Sequence, residues 1–159
     1  MTFCPRQIDR IMAVMEAAFD PAYGEAWNRR QVSDALTLAN THALVIDPAG
    51  VLIPAGHWPE PAAGFVLTRH VLDEEELLLI AVDPRFRRQG LGESLIRHLF
   101  SAARGRGVTR IFLEMRRGNP AAGLYRKLGF APIGERPKYY RASNGERIDA
   151  ITFGVTVST

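Results

Sequence analysis

The sequence predicts an α/β fold with strand–helix–strand–helix at its centre, and three observations lead there. A continuous apolar run at 77–82 has the pattern of a strand buried on both faces. The strongest amphipathic helix follows at 90–104. Leu91, Leu95 and Leu99 form one ridge, which Ile96, Phe100 and Ala103 widen. A strand at 109–115 and a helix at 120–128 then repeat the order, with Pro120 near the helix start and Gly129 just past its end.

The other elements follow in turn. At 8–19, Ile11, Met12, Met15 and Phe19 recur at helical spacing until Pro21 and Gly24 break the pattern. A second helix at 31–38 turns Val32, Ala35, Leu36 and Ala39 inward. Short strands at 43–46 and 51–53 flank the turn Asp47-Pro48-Ala49-Gly50. Three prolines and a glycine make 54–61 a loop. A strand at 63–71 leads to an acidic turn at 73–76, and Asp83-Pro84 ends the strand at 77–82. Gly105 and Gly107 close the long helix. Strands at 130–140 and 148–157 surround the turn Ser143-Asn144-Gly145.

At 159 residues the chain matches one domain, 1–159, with room for a sizeable core. A composition 47% hydrophobic and 23% charged excludes wholesale disorder. No apolar run approaches the ~20 residues of a bilayer span, and the N-terminus lacks the order of a signal peptide. Cys4 is the single cysteine, and no Cys/His cluster has metal-ligand spacing, so neither a disulfide nor a metal is expected. His42, His57, His70 and His98 are scattered and match no pattern. A reducing cytoplasm is the default location. The net charge of +3 is too small to argue for nucleic acid, and no membrane partner is expected. Arginine carries almost all the basic charge, and its guanidinium fork suits phosphates and acidic surfaces.

The most informative stretch is the loop between the strand at 77–82 and the helix at 90–104. Unpaired N–H groups at a helix start, together with the helix dipole, favour an anion. Gly90 and Gly92 let backbone amides approach a phosphate, and Arg85, Arg87 and Arg88 add charge. The stretch is a candidate pyrophosphate cradle. It is not a P-loop, since Gly-Lys-Ser/Thr is missing, and the dinucleotide fingerprint fails after Gly92. The plainer reading is that both glycines only serve a tight turn and close packing.

Arg87-x-x-Gly90-x-Gly92 after a buried strand resembles the Gln/Arg-x-x-Gly-x-Gly/Ala motif of the GNAT N-acetyltransferase superfamily. Asn-Pro-Ala-Ala-Gly-Leu-Tyr-Arg-Lys-Leu-Gly-Phe at 119–130 resembles that superfamily's late helix. Leu113-Glu114-Met115-Arg116, Tyr139-Tyr140 and Asp149-Ala150-Ile151 are similar to its RimI-like branch, which acetylates the N-terminal alanine of a small-subunit ribosomal protein. Tyr139-Tyr140 also resembles the substrate hairpin of eukaryotic protein N-terminal acetyltransferases. The likeness covers about 63–155 well and the first 60 residues loosely.

The resemblance implies a GNAT fold: a mixed, mostly antiparallel central sheet with a splayed parallel pair, flanked by helices. It implies acetyl-CoA as donor and a ribosomal protein's N-terminus as acceptor. The amides of Ile80, Ala81 and Val82 would pair with the pantetheine arm, Val82 serving the oxyanion. Arg87 opens the motif, and Arg88, Gln89, Gly90, Leu91, Gly92 and Glu93 would wrap the pyrophosphate, with Asn119 touching CoA. Two departures stand out. Asn119 to Tyr125 is one residue shorter than the usual spacing, which must be absorbed near Pro120 if Tyr125 is not to rotate by ~100°. The segment 19–27 is longer than the compact Phe-Pro-Trp of the branch and borders the acceptor side.

Acetyl transfer to an amine needs a neutral nucleophile, donors for the oxyanion, an acid for the departing thiolate and two substrates held together. Glu114 is the candidate base. It shares a strand face with Phe112, opposite Ile111, Leu113 and Met115, and the plainer reading is an ion pair with Arg116 or Arg117. Tyr125 is the candidate acid, since an ordinary pKa near 10 makes it a proton donor at neutral pH. The alternative is a packed core aromatic. Tyr139, Tyr140 and Trp27 are candidates to bind the acceptor, although adjacent strand residues face opposite ways, so at most one tyrosine should reach the groove. No nucleophile with a partnering base is evident, so direct transfer in a ternary complex is expected.

Protonation separates the acceptor classes. Roughly a tenth to a fifth of an α-amine is neutral at pH 7, against roughly four parts in ten thousand for a lysine amine. One carboxylate base therefore favours an α-amine. The other readings are acetylation of a small-molecule amine, amino acid or antibiotic, and a CoA-binding module without turnover.

Overall fold

The computed structural model describes residues 5–20, 24–54 and 61–157. Cys4, His57, most of the 54–61 loop and part of the 19–27 segment lie outside them. The elements run α1 (Pro5–Ala18), α2 (Arg29–Leu36), β1 (Thr41–Ile46), β2 (Gly64–Val71), β3 (Glu74–Val82), α3 (Leu91–Gly105), β4 (Arg110–Arg116), α4 (Ala122–Lys127), β5 (Ala131–Arg141) and β6 (Arg147–Thr156). A 3-10 turn, Pro84–Phe86, joins β3 to α3. The six strands form one sheet in the order β1-β2-β3-β4-β6-β5. Only β3 and β4 run parallel; every other pair is antiparallel. This is the mixed, mostly antiparallel sheet with one parallel pair that was expected.

Each face of the sheet carries a core. On one, the α3 ridge of Leu91, Leu95, Leu99 and Phe100 packs against Val66, Ile111, Leu113 and Phe153, with Tyr125 and Phe130 alongside. On the other, Ile8, Ile11, Met12 and Met15 of α1 join Val32 and Leu36 of α2 over Val45, Phe65, Leu67 and Leu79. Each such leucine or isoleucine contributes about 1.5–3 kcal/mol by leaving water. Asn28 opens α2 with a capping box: its side chain accepts from the Gln31 N–H, and the Gln31 side chain accepts from the Asn28 N–H.

The acidic turn expected at 73–76 is a correction: Glu74, Glu75 and Glu76 begin β3, and the turn is the pair Leu72-Asp73. Each glutamate has a basic partner that makes a strand tolerable. Glu76 pairs with Arg69 across the ladder at 2.8 Å, Glu74 faces Arg110, and the fully buried Glu75 receives Arg106 on both oxygens at 2.6 and 3.1 Å. Removing Arg106 would strand a buried charge at a cost of about 3–5 kcal/mol. The strand expected at 51–53 is reduced to one bridge, Ile46 to Leu52. The helix expected from Pro120 starts at Ala122, because Asn119 and Pro120 form the turn that opens it.

The parallel pairing of β3 and β4 lasts only from Glu74–Arg110 to Leu77–Leu113. There β3 bulges: Thr68 of β2 faces Leu77 and Leu67 faces Leu79, so Leu78 is the extra residue. Beyond the bulge, β3 stays with β2 while β4 turns to β6, and the sheet splits.

Candidate active site

The split has a backbone wall and a side-chain wall. In the antiparallel ladder with β2, the Asp83 N–H donates to the Ala63 carbonyl at 2.8 Å. Alternation then turns the Ala81 amide toward Phe65 and the Ile80 and Val82 amides away from β2, into the split. This corrects the expectation that three consecutive amides share one edge: Ala81 belongs to the ladder, and Ile80 and Val82 face the opening.

The loop that follows is held by Asp83, whose buried carboxylate accepts from the Arg85 N–H at 2.9 Å and from its guanidinium at 3.1 and 3.2 Å. Hydrogen bonds from Arg85 hold that carboxyl below its ordinary value, burial opposing them. Arg87 donates to the carbonyl of Ala18 at the end of α1, at 3.2 Å. Of the three loop arginines, Arg88 has no hydrogen-bond or ion-pair partner among the described residues; its φ of 65° and the 75° of Gly90 are both left-handed. Gly90 precedes α3 with no side-chain cap, so the N–H groups of Leu91, Gly92 and Glu93 face outward for an anion.

The two glycines have different reasons. A Cβ at Gly90 would meet nothing within 4 Å, so its backbone angle is what demands glycine. At Gly92 a Cβ would lie 3.0 Å from Leu124 of α4, so the demand is close packing. Glu93 turns out to Lys127 and Arg97 at 2.8 and 3.0 Å, and hydrogen bonds to them lower its carboxyl. A cavity of about 400 Å³ opens beside this loop, over Gly90, Ser94 and His98.

On the β4 side, Glu114 faces away from the α3 core, as its alternation predicts. Its partner is neither Arg116 nor Arg117. The Arg136 guanidinium lies 3.1 Å from its Oε2, and the Thr152 hydroxyl, its cross-strand neighbour, donates at 3.4 Å. Arg116 pairs with Glu25, and Arg117 pairs with Glu135 and Asp149.

Tyr125 is 4% exposed, with its ring edge-on to Phe130 at 5.4 Å. Burial, then the charge of Glu25, pushes its hydroxyl well above the ordinary value. Asn119 lies in the turn before this helix. The Asn119 Oδ1 accepts from the Ala121 N–H at 2.9 Å, which occupies that side of the amide in opening α4.

The two tyrosines of β5 correct another expectation. Residues 137–139 bulge against Asp149 alone, and Lys138 has a φ of 55° with its N–H donating to the Asp149 carboxylate. Strict alternation is lost, so the rings of Tyr139 and Tyr140 meet edge to face at 5.2 Å. Tyr140 is half-buried; burial, then Glu114, then Glu25, push its hydroxyl up to about 12. Tyr139 is half-exposed beneath the Arg136 guanidinium. Trp27 packs against the α1–α2 core with Phe19.

Glu25, the ion-pair partner of Arg116, is a residue that sequence reasoning passed over. It lies in the long segment between α1 and α2, 91 positions before its partner Arg116, and nothing local distinguishes it from other acids. The separate cavity of about 470 Å³ between α4 and β5–β6, floored by Met115, Ile151 and Phe153, includes neither Glu114 nor Tyr125. Among the described residues no group of three metal-ligating side chains occurs, and no helix is long and apolar enough to cross a membrane.

Comparison with known proteins identifies the family and the fold. A model of the acetyltransferase (GNAT) family matches residues 12–130. The ribosomal protein bS18-alanine N-acetyltransferase of Escherichia coli (strain K12) is 45% identical over 97 residues. That match spans 60% of this chain and 65% of the relative, just under two thirds of its length. A crystal structure of the ribosomal-protein-S18-alanine N-acetyltransferase from Escherichia coli superposes with a TM-score of 0.80 at 31% identity, covering 100% of this chain and 93% of that one. Arabidopsis thaliana NAA60, in complex with acetyl-CoA, shares the fold at a TM-score of 0.76 and 19% identity, covering 98% and 96%.

Proposed function

The chain belongs to the GNAT acetyltransferase family, and from that premise we propose that it transfers acetyl from acetyl-CoA to the N-terminal α-amine of a ribosomal protein that begins with alanine. What supports the reading is the register of the sheet: β3 and β4 part after Leu77, the Ile80 and Val82 amides turn away from β2, and Glu114 lies on the face of β4 opposite the core that holds Tyr125. The name of the Escherichia coli relative supports the choice of acceptor, and that of the Arabidopsis complex supports the donor.

The residues present fit the donor. Ile80 and Val82 offer an open strand edge to an extended arm. The uncapped first turn of α3, Arg88 and the open space at Gly90 suit a pyrophosphate. When bound, acetyl-CoA supplies an acyl group already activated as a thioester. The Val82 N–H is the donor for the negative charge that builds on the acyl oxygen. Glu114 takes the proton from the incoming amine. Its partner Arg136 is 62% exposed and can swing into water as the acceptor arrives. Tyr125, kept protonated by burial and by Glu25, donates to the departing sulfur. Transfer is direct, in a ternary complex, and takes place in the cytoplasm.

Release of CoA from acetyl-CoA tests the reading. The acceptors are an alanine-starting peptide of the host's ribosomal protein, its N-blocked form, a lysine-containing peptide and a panel of small amines. Rapid release with the free alanine terminus alone is expected. Release with small amines alone keeps the family chemistry and removes the ribosomal acceptor.

A further inference from the structure

The cavity between α4 and the β5–β6 pair includes none of the residues given a part in acetyl transfer. Its volume of about 470 Å³ lies within the range of sites that enclose small molecules. Met115, Ile151 and Phe153 make an apolar floor, and the rim carries the guanidinium groups of Arg116, Arg117 and Arg126. Two of these three cations are neutralised. Arg116 pairs with Glu25, and Arg117 pairs with Glu135 and Asp149. Arg126 has no carboxylate or hydrogen-bond partner among the described residues. Its guanidinium carbon lies 5.3 Å from the centre of the Phe153 ring, and Phe153 is itself buried. The face of the ring attracts the cation and uses up no hydrogen-bond acceptor. Arg126 is thus held over the apolar floor with its N–H donors available.

A ligand that completes this arrangement carries one negative charge, because one guanidinium of the rim lacks an anion. A second charge would find no free counter-ion there, since Arg117 is already shared by two carboxylates. The ligand also needs an apolar body, because a bare hydrated ion would leave Met115, Ile151 and Phe153 facing water. A carboxylate suits the guanidinium, which it can meet with two parallel hydrogen bonds. The thioether of Met115 adapts to bodies of different outline. We propose that this cavity is a binding site for a small monocarboxylate with an aromatic or branched apolar body. Its carboxylate sits on Arg126, and its body covers Met115, Ile151 and Phe153. The site goes beyond the acetyltransferase reading and is distinct from the places given to acetyl-CoA and the acceptor.

The test is calorimetric titration of the full chain with phenylacetate. Phenylacetamide serves as the neutral analogue, and acetate as the anion without a body. Saturable binding of phenylacetate with a Kd of about 1 mM or tighter is expected, and saturating CoA should leave it unchanged. Phenylacetamide and acetate should each bind at least about tenfold more weakly. Arg126→Gln keeps a good helix former and removes the charge. It should weaken phenylacetate about tenfold and leave phenylacetamide as it was. In the wild type, the methyl resonances of Met115 and Ile151 should move as phenylacetate is added, which places the ligand on the floor of the cavity. Equal phenylacetate binding by Arg126→Gln, displacement by CoA, or resonance changes confined to other parts of the chain would overturn the proposal. So would the absence of saturable phenylacetate binding.

Discussion

On the β3 side of the split, the groups that face inward are backbone amides carried by one continuous stretch, 80–93. On the β4 side the candidate groups are side chains from separate elements: Glu114 in β4, Tyr125 in α4 and Tyr140 in β5. The contrast fits what the proposed function asks of each side. A pyrophosphate and an extended amide-bearing arm are met by repeated N–H groups, which one strand and one helix start supply at fixed spacing. Proton transfer needs single titratable groups at particular points, and a fold brings these together from distant places. The donor side should therefore tolerate side-chain change and resist change of shape. The acceptor side should behave the opposite way.

The largest expected effect is at Glu114. Glu114→Gln should lower the rate of CoA release by about 10²–10⁴-fold, most clearly at low pH, with acetyl-CoA affinity unchanged. Stopped-flow detection of the free thiol across pH checks this, and an unaltered pH–rate profile removes the base assignment. Tyr125→Phe keeps the ring against Phe130 and removes the proton, so it should cost about 10²-fold in kcat, again without loss of acetyl-CoA binding. Gly90→Ala comes next, on the other wall. Forcing a Cβ into a left-handed angle costs about 1–2 kcal/mol, so acetyl-CoA affinity should fall about tenfold while acceptor KM holds. Gln89→Ala, in the same loop, should change affinity by no more than about twofold; a large loss there would mean that side chains, not loop shape, hold the donor.

The smallest effect lies at the far end of the sheet and involves neither wall. His42 and His70 stack at 4.8 Å, with ring nitrogens 2.6 Å apart. Burial, then Arg106, hold His42 below its ordinary value; His70 adds to this and Glu75 opposes it. The unfolded chain therefore binds this proton more readily than the fold does. The contribution of His42 is complete above the ordinary value near 6.5 and is lost as pH falls through the folded value. Thermal midpoints should decline from pH 7.5 to 5.5, and His42→Asn should flatten that decline. CoA release, corrected for folded protein, should not follow it.

The same contrast governs what was legible in the sequence. The Arg87-x-x-Gly90-x-Gly92 loop and the strand before it are contiguous, so spacing alone marks them as a candidate donor wall. The α3 ridge and the alternation of β4 were equally plain, because each is a local period. Glu25 was invisible, since its meaning comes from Arg116, far along the chain. Arg136 as the partner of Glu114 depends on the register of β5 against β6, which no local pattern reports. The bulges at Leu78 and at 137–139 are one- and few-residue slips that alternation cannot anticipate, and they decide which amides open and which tyrosines meet. Glu74, Glu75 and Glu76 read as a turn because their arginine partners are non-local.

Amide hydrogen exchange with and without acetyl-CoA tests the central claim most directly, that a backbone wall holds the donor. The Ala81 amide, already paired to β2, should be slow to exchange in both states. The Ile80 and Val82 amides, with those of Leu91, Gly92 and Glu93, should exchange readily alone and become protected when acetyl-CoA binds. Acetyl-CoA binding that leaves Ile80 and Val82 as exposed as before would contradict the account.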